Sequence, residues 1–259
     1  MIENYIENLK DLTPYLICPA ESIKYLDINI PELKTWGGDK LKCIDPLKTN
    51  SEQWIQKIKR LDSLSFGPSG MPMPDWVLLD CAMMPSGIFG FCIKGDQLSS
   101  RDKNLLKINE NEFFPISMYI AIPTLDNSVW FGHNLSSLNN HLENNLKGLG
   151  IVTKFMALRM FQVQKLRGAT QWKSNAIHLH MKLNKLQILS AWTTAHTHHE
   201  TLCYETISTD EYQSFANETY KIQKEDLLEL QKKIESGQRF VLDSIQSDII
   251  SVSKIKVLK

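Results

Sequence analysis

Residues 145–168 read NLKGLGIVTKFMALRMFQVQKLRG, and the remainder of the chain is placed most readily around them. Val152, Phe155, Met156, Leu158, Met160 and Val163 recur at helical spacing among good helix formers, which predicts a helix over 149–166. Gly148 and Gly150 stand at its start; Gly168 is expected to end it, and ATQW (169–172) to open a strand. Such a start points backbone N–H groups and the positive end of the helix dipole at whatever lies in front, an arrangement that suits phosphate. Glycine lets an anion approach the backbone closely. The alternative is structural, two glycines that close a loop and allow tight packing. No GK[ST] follows the glycines and no GxGxxG follows a strand, which argues against a nucleoside triphosphate or a dinucleotide.

Downstream, Ser174 can cap an amphipathic helix, NAIHLHMKLN. LQILSAWTTA (186–195) and TLCYETI (201–207) then read as strands joined by the turn HTHHE (196–200), followed by a helical stretch over 212–234 and a short apolar tail. Upstream, PISMYIAIP (115–123) is apolar on both alternating faces, the pattern of a central strand. KLKCID (40–45) reads as a short strand before the helix SEQWIQKIKRLDSL, capped by Asn50 or Ser51 and carrying Trp54, Ile55, Ile58 and Leu61 on one face. After the turn-rich FGPSGMPMP, DWVLLDCAMM (75–84) and IFGFCIK (88–94) are expected to form a hairpin about Pro85, Ser86 and Gly87. The polar run 126–147 reads as an insertion, with SSLNNHLENN (136–145) as a polar helix.

The organisation expected is an N-terminal extension over 1–38, one α/β domain over 39–209 with an insertion at about 124–144, and a C-terminal helical extension over 210–259. Lys plus Arg equals Asp plus Glu at 29 each, so the charge balance points to no nucleic acid and no anionic membrane. The N-terminus has early acids and no long apolar run, so no secretory signal or anchor is read there and a cytoplasmic location is expected. Cys18, Cys43, Cys81, Cys92 and Cys203 lack CxxC spacing and fit reduced thiols, three of them in apolar runs that read as core.

The element order β-α-β-β-β-α-β-α-β-β with glycines before the penultimate helix resembles the GNAT superfamily of acyl-CoA-dependent N-acyltransferases, over about residues 40–208. KLKCIDPLKTNSEQWIQKIKRLDSLSF is similar to the family's opening strand and helix, and DWVLLDCAMMPSGIFGFCI to its second and third strands. NLKGLG resembles the family's Q/R-x-x-G-x-G/A pyrophosphate loop, with Asn145 in place of Gln or Arg. SNAIHLHMKLNKL resembles the following family segment through Asn175, Ala176, Leu179, Lys182 and Leu183. The fold so implied is a mixed central sheet of six to seven strands flanked by helices. The co-substrate implied is acetyl-CoA or another acyl-CoA, its phosphates held by the amides of Gly148, Leu149, Gly150, Ile151, Val152 and Thr153 with Asn145 and Asn175 nearby. The backbone of Tyr119, Ile120, Ala121 and Ile122 would hold the pantetheine amides and the oxyanion. Three departures stand out: His180 replaces the tyrosine that protonates the leaving thiolate, Asn184 replaces a glycine before the next strand, and the insertion separates the central strand from the glycines.

The reaction implied is direct attack of a small-molecule or protein amine on the thioester, which needs a free amine, a stabilised oxyanion and a protonated leaving sulfur. His180 is the candidate donor to sulfur, an imidazolium being acidic enough to protonate a thiolate; a packed or surface histidine is the alternative. Asp80, Glu200 or a water relay can serve as base. His196, His198 and His199, with His178 and His180, raise the rival of a metal-dependent enzyme, but their place in a turn argues for solvated side chains, and no metal is expected. A further alternative is a non-catalytic module that binds coenzyme A or a protein partner. The two ends of the chain are candidates to cover the site or to form a homodimer interface. Met71, Met73, Met83 and Met84 either fill gaps or line an acyl or substrate pocket.

Overall fold

The computed structural model describes residues 2–37, 40–125, 128–192, 201–207 and 216–255. It is a mixed α/β chain of two compact units, Met1–Leu125 with Gly132–Val163, and Asp126–Phe131 with Gln164–Lys259. Eleven strands lie among the described residues, against the six to seven expected.

The first unit contains α1 (Ile2–Asn8), β1 (Thr13–Ile17), β2 (Lys42–Ile44), α2 (Glu52–Phe66), α3 (Asp75–Met83), β3 (Ile88–Lys94), α4 (Ser100–Leu106), β4 (Phe113–Pro123), β5 (Val129–Ser137, from Gly132 onward) and α5 (Leu149–Met160). Its strands lie in the order β2-β1-β3-β4-β5, with β1 parallel to β2 and antiparallel to β3, and β3 antiparallel to β4. The apolar run of β4 becomes the interior strand its sequence predicts, buried from Phe114 to Ala121. Both α5 and α2 pack on it. Residues 1–38 contribute β1 to the interior of the sheet, and Trp36 is fully buried with its Nε1 donating to Leu9 O at 2.8 Å.

Three expectations fail in this unit. DWVLLDCAMM forms α3 rather than a strand, burying Leu78, Cys81 and Ala82 at helical spacing and leaving Leu79 outside; a strand would have buried alternate residues. The polar helix over 136–145 does not form, because Ser136 and Ser137 end β5 and turns and bends follow. Finally, α5 stops at Met160, six residues before its expected end, and Gln162 takes a left-handed conformation (φ 56°) before the chain enters the next strand.

The second unit contains β6 (Lys165–Gln171), α6 (Ala176–Leu183), β7 (Lys185–Ser190), β8 (Thr201–Ile207), β9 (Ala216–Gln223), α7 (Leu227–Glu235), β10 (Arg239–Gln246) and β11 (Ile249–Ile255). The order is β6-β8-β7-β10-β11-β9, each neighbouring pair antiparallel. Trp172, Ile177, Leu186, Tyr204, Leu230 and Phe240 share one core in which α6 and α7 cover the strands. Gly168 lies inside β6 rather than at a helix end: a Cβ there would sit 2.6 Å from the Tyr204 hydroxyl, so glycine makes room for that ring. The helix expected over 212–234 is instead β9 followed by α7, and the apolar tail is strand β11. Among the described residues, no helix is long and apolar enough to cross a membrane.

Candidate functional site

Gly148 caps α5 in the left-handed region (φ 92°), which glycine adopts without strain. A Cβ there would lie 2.5 Å from the Tyr5 ring, so α1 reaches the helix start only because residue 148 has no side chain. Leu149 N–H donates to Leu146 O and Val152 N–H to Gly148 O, both at 3.0 Å. Gly150 and Ile151 supply the N–H groups of the first turn that neither bond uses. Asn145 is exposed, and its Oδ1 accepts from Lys147 N at 3.4 Å. Beside it lies a cavity of about 350 Å³ bordered by Asn8, Leu9, Leu12, Gln97 and Asn144.

The next turn of α5 faces the sheet. Thr153 Oγ1 lies 2.7 Å from both Ser117 Oγ and Leu149 O, and Ser117 Oγ accepts from Phe91 N at 3.1 Å. Helix α5 is thereby fastened to β4 and β3 by a buried hydroxyl pair. Lys154 is almost wholly buried, its ammonium 5.8 Å from the centre of the Tyr119 ring, and burial pushes its pKa down to about 7. Tyr119, Ile120 and Ala121 are buried and Ile122 partly so, in a strand with neighbours on both sides; Ala121 O accepts from Ser86 Oγ at 2.7 Å.

A second polar group sits between α2 and β5. Asp62 is 1% exposed; its Oδ1 accepts from Asn134 Nδ2 at 3.0 Å and its Oδ2 from Met73 N at 2.6 Å. Asn134 Oδ1 in turn accepts from Ser136 Oγ at 3.0 Å. Burial raises the Asp62 pKa, opposed by the Met73 and Asn134 hydrogen bonds and by nearby His133. One carboxylate therefore ties β5 to the loop before α3. Asp62→Asn would set an amide N–H₂ against one of two N–H donors, and we expect a loss of about 2 kcal/mol in urea unfolding. An unchanged midpoint would mean the tie contributes nothing.

No family model and no curated protein matches the chain. Its site is therefore read from chemistry and position alone.

Asp80 is exposed on α3, and among the described residues no hydrogen bond or ion pair engages it. Asn175 is exposed at the start of α6 and makes no side-chain cap; Ser174 Oγ accepts from Ala176 N at 3.2 Å instead. His180 is buried on α6 with its ring 5.3 Å from that of Tyr204. Glu200, His196, His198 and His199 lie outside the described residues. The structure thus joins 119–122 and 148–153 within the first unit through the packing of α5 on β4, and places Asn175 and His180 in the second. Among the described residues, no group of three or more His, Cys, Asp or Glu could hold a metal ion. Sequence reading passed over Asp62, Asn134, Ser117 and Lys154. One signal was available: Asp62 falls four residues after Ile58, on the apolar stripe of α2, where a solvated acid does not belong.

Proposed function

We propose that the protein is an acyl-CoA-dependent N-acyltransferase, with the start of α5 receiving the coenzyme A pyrophosphate. The observation that carries the reading is the order of elements from Lys42, which runs β2, α2, β3, β4, β5, α5, β6, α6, β7, β8 once α3 and α4 are set aside. It has the same strand and helix sequence as the GNAT resemblance. Between α2 and α5 the three strands are β3, β4 and β5, where the sequence predicts strands at 75–84, 88–94 and 115–123; the first of these is helix α3, and β5 is the strand that prediction does not include. Because the family's glycine loop follows its central strand closely, β5 from His133 onward takes the role first given to 119–122.

On this reading the amine nitrogen attacks the thioester carbonyl, the C–N bond forms as the C–S bond breaks, and the nitrogen loses a proton while the sulfur gains one. Gly150 and Ile151 N–H groups and the helix dipole receive phosphate. Asp62, through Asn134 and Ser136, fixes β5 as a rigid support rather than touching the substrate. Asp80 or water is the proposed base, and the proton it takes from nitrogen is relayed to the leaving sulfur. The burial of His180 against Tyr204 favours, as a second reading, a coenzyme A-binding module without turnover.

Thiol release from acetyl-CoA in the presence of a panel of primary amines tests the proposal. We expect amine-dependent release. Asn145→Glu, which places a negative charge on an exposed residue beside the phosphate position, is expected to raise KM for acetyl-CoA about fivefold and leave kcat nearly unchanged. Saturable acetyl-CoA binding without release by any amine would replace catalysis with the second reading.

A further inference from the structure

Helix α3 is apolar on both sides. Its inner side packs through Leu78, Cys81 and Ala82, while Trp76, Leu79 and Met83 on the outer side remain 67%, 46% and 39% exposed, with Met71 of the preceding loop at 42%. Large apolar side chains grouped in this way on one surface mark a contact site rather than chance exposure. Asp80 lies within the same face, four residues after Trp76, so the indole and the carboxylate are neighbours on the helix. Asp75 is held by Lys59 at 2.8 Å, whereas among the described residues Asp80 has no hydrogen bond or ion pair. No Lys, Arg or His occurs in α3.

We propose that this face binds a small cationic amine with an apolar body, the ammonium seated between the Trp76 ring and the Asp80 carboxylate and the body against Leu79 and Met83. An aromatic face and a carboxylate attract an ammonium together, by the ring quadrupole and by charge. A second copy of the chain placed about a two-fold axis would bring two Asp80 carboxylates toward each other, and an anionic bilayer would be repelled by Asp80, since the charge of Asp75 is met by Lys59. The face spans one helix of nine residues, about 13 Å long, which suits a small molecule. That the bound amine is the acyl acceptor rests on the acyltransferase reading; the binding itself does not.

The test is a titration of the full chain, without acetyl-CoA, by phenethylamine followed through the probe's aromatic NMR signals, with phenethyl alcohol as the uncharged counterpart. We expect saturable binding of the amine, at least about fivefold weaker binding of the alcohol, loss of amine binding in Trp76→Ala and about fivefold weakening in Asp80→Asn. Both positions are on the surface, so the fold is retained. Equal binding of amine and alcohol, or amine binding unchanged by both variants, overturns the proposal. Concentration-dependent dimerisation abolished by Trp76→Ala also overturns it, because a second copy would then cover the face. Amine binding as predicted in a protein that releases no thiol keeps this site and removes only its catalytic use.

Discussion

Gly90→Ala is expected to destabilise the protein by more than about 4 kcal/mol, enough to leave a large fraction unfolded. A Cβ at this position would lie 1.9 Å from the carbonyl oxygen of Ser117 and 2.6 Å from the Tyr15 hydroxyl. The first is backbone of the interior strand β4, which cannot move without opening the ladder with β3. The second is a buried ring whose Oη donates to that same Ser117 oxygen at 2.8 Å, so displacing it strands a buried polar pair. Gly90 thus buys close approach between β1, β3 and β4. Gly67→Ala is the control, since nothing lies within 4 Å of the position and its φ is −54°. Urea unfolding should show the control within about 0.5 kcal/mol of the parent and Gly90→Ala far below it. A small effect at Gly90 would mean that the register of β1 and β4 against β3 is wrong.

The second large effect is a dependence of stability on pH set by Lys154. Burial lowers its pKa from 10.5 to about 7, whereas the unfolded chain leaves it near its ordinary value. Between those two pH values the unfolded state holds a proton that the folded state lacks, so the unfolding free energy rises with pH, by up to about 1.4 kcal/mol per unit for this one group. Below about pH 7 the folded protein carries a buried ammonium and this contribution stays at its least favourable level. Lys154→Met keeps the volume and removes the charge. The variant is expected to be more stable than the parent at pH 6, with the gap closing toward pH 10. Parallel pH profiles for the two proteins would show that Lys154 is solvated in the folded state.

How much could be read beforehand follows from how local each signal is. Helix α2 carries its apolar stripe within fifteen residues and β4 its two apolar faces within eleven, so both are legible. Helix α3 carries apolar residues on both its inner and outer sides, and an apolar run without a clear period does not distinguish a helix from a strand. Strand β5 hides its character because Asn134 and Ser136 point inward, and what makes that tolerable is Asp62, 72 residues earlier than Asn134. Segment 216–223 is rich in good helix formers, yet it pairs with β11 and becomes the last strand in the order of the second unit. The glycines before α5 were legible as a turn. The packing of Tyr5 on Gly148 was not, because it joins residues far apart in the chain.

Thermal unfolding with and without acetyl-CoA tests the central proposal most directly, since a ligand bound only by the folded state must raise Tm. A rise that grows with ligand concentration, by about 2.7 kcal/mol of stabilisation at a hundredfold excess over Kd, and that is reduced in Asn145→Glu, is the predicted result. No shift at millimolar acetyl-CoA would contradict coenzyme A binding at the start of α5 and with it the acyltransferase proposal.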